Sequence, residues 1–215
     1  MVVAVVGVLV VADAAARGVA EDQLRQRVAS RLEAGDRRVG PTSAGSVSAG
    51  ISSFPFLFRL LAAGTISQID VSAVDLTVRD VTFLTVGVQL WDVRIDRDSL
   101  VQDRRIALQS IGRGAAVVEI SGDELSRLLG VPVVLEEGRA GVRVGGRLVT
   151  VAARVEGSSL VVEAGGVSLP VIEIPPLPLV SCLDGAQILP GRLRLTCTLD
   201  RVPVELAGRS LEVQL

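Results

Sequence analysis

The residues able to do chemistry in this 215-residue chain form a short set. Histidine, lysine, tyrosine and asparagine are absent, so all 22 basic residues are arginines. Without histidine there is no Ser-His-Asp or Cys-His nucleophile, no His-ligated zinc and no imidazole acid or base. Without lysine there is no phosphate-binding P-loop and no Schiff base. No G-x-S-x-G elbow marks a nucleophilic serine, and no cofactor is expected. Asp96, Asp98 and Asp103 make an acidic patch, but Arg94, Arg97, Arg104 and Arg105 sit among them. A solvated, charge-balanced loop accounts for that pattern better than a metal site. The 24 acidic residues leave a net charge of -2, which removes nucleic-acid binding driven by bulk electrostatics.

What remains is a cluster of rings beside an arginine, and a pair of cysteines. Three of the four phenylalanines fall within five positions, in Ser53-Phe54-Pro55-Phe56-Leu57-Phe58-Arg59-Leu60-Leu61-Ala62-Ala63-Gly64. Pro55 bars Phe54 from a helix and can open one, so a strand, a kink and a short helix follow in order. Two readings stand for the rings. They form a clasp that anchors the core, the preferred reading because large apolar residues are usually buried, or a lipid-facing wedge that dips into a membrane. Arg59 is the candidate for pairing with a phosphate headgroup; a side chain snorkelling from the short helix is the plainer and slightly preferred account.

The elements that must position these residues begin with Val2 to Ala12, an apolar run broken only by Gly7. Eleven residues fall short of the roughly 20 needed to span a bilayer. They match the h-region of a secretory signal, although no arginine precedes Arg17. A membrane anchor or signal remnant over 1–12 is preferred to a buried strand, which would exceed the usual length. In 13–34, Ala12, Ala16, Ala20, Leu24, Val28 and Leu32 recur every fourth residue, a helical stripe that Gly35 ends. The stripe drifts by about 40° per step, which suits a helix cradled by a curved sheet, though an ordinary surface helix fits as well.

Beyond Pro41 the chain turns Val-rich, with short alternating runs and glycine punctuation. Strands are expected around Val47–Ile51, Ile69–Ala73 and Val86–Ile95, the last switching its facing midway. Others fall at 116–120, 131–135, 142–144, 148–155 and 160–163, with hairpins near Gly138–Gly141 and Gly157–Ser159. Ser121-Gly122-Asp123-Glu124 fits a capping box, in which the serine and glutamate side chains satisfy each other's backbone N–H groups, and Gly130 stops the helix. The prolines at 170, 175, 176 and 178 read as an edge or crossing segment more than as a polyproline ligand. Cys182 and Cys197 flank Pro190-Gly191 with parity that points both sulfurs to one apolar face, so a bridge is possible and an extracytoplasmic compartment follows if it forms. Buried free thiols are the alternative. The register stays open, because Pro-Gly is a poor two-residue hairpin turn. With no βαβ alternation, residues 13–215 read as a single α+β domain dominated by a meandering curved sheet.

The Phe-Pro-Phe-Leu step, the Leu-rich helix ending at Gly64 and the strand Ile66-Ser67-Gln68-Ile69-Asp70-Val71 resemble the LmeA-like family of actinobacterial cell-envelope proteins. So does the order of parts, including the helix start Val118-Glu119-Ile120-Ser121-Gly122-Asp123-Glu124-Leu125. The resemblance implies an exported, often membrane-tethered protein on the extracytoplasmic side of the membrane that binds phospholipid, with a role in lipid transfer or lipoglycan maintenance. It also implies a tubular fold, a strongly curved antiparallel sheet wrapped around the long N-terminal helix. The family is credited with phospholipase A activity, but no catalytic residue transfers to this chain. An envelope phospholipase or esterase, and a structural interaction domain without lipid, are the alternatives. Aliphatic strands can line a dry cavity for acyl chains, each buried CH₂ contributing about 0.8 kcal/mol. The lipid-contact candidates are Phe54, Phe56, Leu57, Phe58 and Arg59.

Overall fold

The computed structural model describes residues 2–34, 42–96, 98, 105–106, 108–156, 159–164, 167–168, 172–173, 184–202 and 213–214. The Pro-rich stretch 170–178 (apart from 172–173), Cys182, Asp103 and the Gly157–Ser158 turn lie outside them.

Helix α1 runs unbroken over Val2–Ala34. The strand alternative for Val2–Ala12 is thereby overturned: an all-apolar run carries no period of its own, and here it continues the helix that follows. The four-residue stripe packs from Ala16 onward. Ala16 and Ala20 lie against one apolar cluster, Val28 and Leu32 against another. Ala12 is exposed and Asp13 is buried instead, because the drift of a four-residue repeat carries its first member off the packed face.

Strands β1 (Thr42–Ser43) and β2 (Ser46–Ser52) both pair with β3 (Thr65–Val78). The short helix α2 (Phe56–Phe58) and a π turn (Arg59–Ala63) lie between β2 and β3. Next come β4 (Val81–Ile95), β5 (Arg105–Ile106), β6 (Leu108–Ser121), helix α3 (Gly122–Leu129), β7 (Val133–Glu136), β8 (Arg139–Val144), β9 (Arg147–Glu156) and β10 (Ser159–Ala164). The short strands β11 (Val167–Ser168) and β12 (Ile172–Glu173) precede β13 (Gly185–Leu189), β14 (Arg192–Val202) and β15 (Val213–Gln214). In one sheet β3 is followed by β4, β6, β14 and β13; in the other, β11 and β12 flank β10, then β9, β8 and β7. A third, small pairing joins β5 to β15. The fold is α+β with antiparallel sheets not closed into a barrel.

Strands of 14 and 15 residues bury one face without keeping strict alternation. Inward residues in β4 are Phe83, then Val86 and Val88, then Val93 and Ile95, so parity slips twice. Each slip coincides with an aspartate in the left-handed region of the backbone. Asp75 (φ 53°) stands against Gly45 of the adjacent loop, and Asp92 (φ 54°) against Gly112 of β6. A Cβ at Gly112 would lie 2.8 Å from the Asp92 Cβ, so any larger residue there forces a shift, while one at Gly45 would lie a tight 3.2 Å from that of Asp75. These two creases reset which residues face the core. The expected switch of facing in β4 is the crease at Asp92, and a further register shift follows between Arg94 and Ile95.

The Asp92 crease also parts the core. On one side Leu76, Phe83, Val118, Ile120, Leu125, Leu193 and Leu195 pack with Leu135 and Val142 of the second sheet. On the other, Ile51, Phe56, Ile66, Val93 and Ile95 form a small cluster of their own. The β13–β14 hairpin settles the register the sequence left open: Leu189 pairs with Arg192, so Pro190-Gly191 is the two-residue turn after all, with Gly191 at φ 72°. Cys197 is buried beside Leu193 and Leu195, as its parity predicts, and is not a free cysteine.

Helix α3 starts with its expected cap, the Glu124 N–H donating to Ser121 Oγ at 3.0 Å, and Gly130 closes it at φ 68°. The reciprocal half of the box is different. The Glu124 carboxylate accepts the Thr82 N–H at 2.8 Å, tying the helix to the start of β4, and it is paired with Arg127. The Arg127 guanidinium foremost holds the Glu124 carboxyl below the usual carboxylate range; burial, next in size, opposes it, and the Thr82 amide adds to the lowering.

Candidate lipid-contact site

The phenylalanine segment is held from a distance. Pro55 supplies no side-chain cap to α2. Asp13 of α1 does so instead: the Leu57 N–H donates to Asp13 Oδ1 at 2.6 Å. Two turns further along α1, Glu21 Oε1 accepts the Ile51 N–H at 2.8 Å, and Arg17 Nε lies 3.8 Å from the same oxygen. Carboxylates directed at free backbone donors, one of them at a helix start, make favourable charge-assisted bonds. The π turn closes with Arg59 N–H on the Pro55 carbonyl and Gly64 N–H on the Leu60 carbonyl, Gly64 sitting at φ 62°. The Phe54–Pro55 peptide is cis.

This scaffold divides the rings between the two readings. Phe56 is 3% exposed and completes the small cluster with Ile51, Ile66 and Val93. Phe54 and Phe58 are 65% and 70% exposed, and Leu61 51%. The clasp therefore describes Phe56 alone, with Leu57 half-buried against the same cluster. Val10 and Val11 are also exposed; Val10 precedes Asp13 by one helical turn, on the face that reaches α2. An exposed apolar tip so formed is the kind of surface that marks an interaction site.

The Arg59 side chain is exposed. Its Nη1 donates to Ser67 Oγ at 2.6 Å, drawing the guanidinium over the first residues of β3. Ser53 Oγ, at the base of the tip, is buried with no hydrogen-bond partner. Elsewhere, Glu137, Gly138 and residues 186–189 line an open recess of about 350 Å³ with mixed polar and apolar walls. No helix among the described residues is long and apolar enough to cross a membrane.

Asp13 and Glu21 are the residues that sequence reasoning missed. In the sequence Asp13 is only the first polar residue after the apolar run. The signal that would have found it is the four-residue spacing Asp13–Arg17–Glu21, which puts three charges on the flank of the apolar stripe.

No curated protein and no solved structure matches this chain. A family model described as LmeA-like phospholipid-binding matches residues 11–198, most of the sequence, from the last two residues of α1's apolar run into β14. The chain belongs to the LmeA-like phospholipid-binding family.

Proposed function

We propose that this protein engages phospholipid at a bilayer surface through Phe54, Phe58 and Leu61, on the extracytoplasmic side of the cell-envelope membrane, with the apolar start of α1 as its tether. The observation that carries the reading is the split among the phenylalanines: two large rings exposed around one that is buried. Exposed rings on a fixed base lose little conformational freedom on insertion, and each is worth about 1.5–3 kcal/mol once removed from water. Family membership supplies the class of ligand. In this reading the sheet curls around α1, and the aliphatic interior can receive acyl chains lifted from the bilayer. A bridge between Cys182 and Cys197 would fit the oxidising side of the membrane.

The test is co-sedimentation with phosphatidylglycerol/phosphatidylcholine vesicles, comparing the native protein with a Phe54→Ser/Phe58→Ser variant. Binding is expected to weaken by more than tenfold while the thermal midpoint stays within a few degrees, because neither ring contributes to the core. Equal binding by the two proteins would overturn the tip as the contact. Lipid extraction of gently purified protein addresses the interior: stoichiometric phospholipid supports a carrier, and its absence leaves only surface contact.

A further inference from the structure

Behind the tip, the outer face of the sheet carries a second feature. Val93 and Ile95 point into the small cluster, so Arg94 points the other way and is exposed. It pairs in register with Thr65, the residue directly after the Gly64 stop, and so flanks the tip. Three residues back on β4, about 10 Å along the strand, Trp91 pairs with Gln68 on one side and Arg113 on the other. The Arg113 guanidinium lies 4.9 Å from the centre of the Trp91 ring. Arg59 reaches the same face through Ser67. Among the described residues, none of these three arginines forms an ion pair with a carboxylate. Of the acidic residues nearby, both Asp70 oxygens accept from the Gln68 amide and Asp96 accepts the Asp98 N–H, while Asp92 is exposed over Gly112 on the same face.

We infer that Trp91, Arg94 and Arg113, together with Arg59, form a headgroup-contact surface that receives the phosphodiesters of a bilayer into which the tip has dipped. This deepens the function proposed above and rests on it. A guanidinium offers a planar fork to two phosphate oxygens, and stacking on an indole holds that fork in place without neutralising it. An indole at the level of the headgroups, with apolar side chains reaching deeper, is the arrangement that interfacial anchoring favours. The crease at Asp92 makes this possible. By resetting parity it puts Trp91 and Asp92 together on the outside, next to a face that alternates correctly again at Arg94.

Trp91 is the only tryptophan in the chain, so its emission reports on this surface without a label. Vesicles of phosphatidylcholine with about a third phosphatidylglycerol are titrated into native protein, Arg94→Gln, Arg113→Gln and the remote control Arg139→Gln. The native emission is expected to shift to the blue on binding. Arg94→Gln and Arg113→Gln are each expected to weaken binding by about fivefold, and Arg139→Gln to leave it unchanged. A native protein that binds with no movement of Trp91 emission, or equal losses in all three variants, would overturn the inference while leaving the tip in place. A native protein that binds no vesicle at all would instead bring down the proposed function.

Discussion

Helices α2 and α3 each follow a strand and each chain segment stops at a left-handed glycine, Gly64 in one case and Gly130 in the other. They are stabilised in opposite ways. Helix α3 begins with its own cap, Ser121, buries Leu125 in the main cluster, and carries its own ion pair, Glu124–Arg127. Helix α2 has no local cap, borrows a carboxylate from 44 residues away, and leaves Phe58 and the following Leu61 in solvent. With Phe54 just ahead of the helix, two rings in this segment are uncovered. The contrast separates a helix that packs by its own local signals from one that distant contacts hold with its apolar side chains exposed.

Substitutions can press on each side of that contrast. The largest loss is expected from Phe56→Ala, which empties the centre of the five-residue cluster; about 3–5 kcal/mol in denaturant unfolding is the usual cost. If the cost is under 1 kcal/mol, the tip has no core of its own. Asp13→Ala is next. It strands the Leu57 N–H without its acceptor and should cost about 1–3 kcal/mol, and vesicle binding should fall with it, since the rings lose their fixed base. Ser121→Ala should cost about 1 kcal/mol with vesicle binding unchanged, because α3 stands apart from the tip. Any parallel loss of binding there would blur the distinction between the two helices.

The smallest effect is a pH dependence. Glu124 has its folded-state pKa depressed by Arg127 and the Thr82 amide, so its contribution is fully present above the unfolded-state value and is lost as pH falls through the folded one. The stability difference between the native protein and Glu124→Gln is therefore expected to hold at neutral pH and to shrink below about pH 4. A difference that grows on acidification would contradict the pairing.

The same contrast explains what could be read in advance. Helix α3 was legible because its cap, apolar face and stop lie within ten residues of one another. The hairpins were legible for the same reason, and the α+β class followed from them. The positions of long strands were visible, but their extents were not. In β4 the inward residues Phe83, Val86, Val88, Val93 and Ile95 are spaced by three, two, five and two, and the creases at Asp75 and Asp92 break the period on which strand reading depends. At the candidate site, the spacing of the rings marks Phe54 to Arg59 as one segment, yet which ring is buried depends on Asp13 and on the cluster across β3 and β4. Those are contacts between distant segments, and no local spacing encodes them. The second half of the capping box failed for the same reason: Thr82 is 42 residues from Glu124 and competed successfully for its carboxylate.

Asp13 and Glu21 lie about 12 Å apart along α1, each fastened to backbone on either side of the phenylalanine kink. Two pins prevent a rod from both sliding and rolling. A pull or tilt applied to the first turns of the helix is therefore delivered to the kink as motion of the whole unit, with no slack between them. Whatever fixes the orientation of the N-terminal turns also sets the height and angle at which Phe54 and Phe58 are presented.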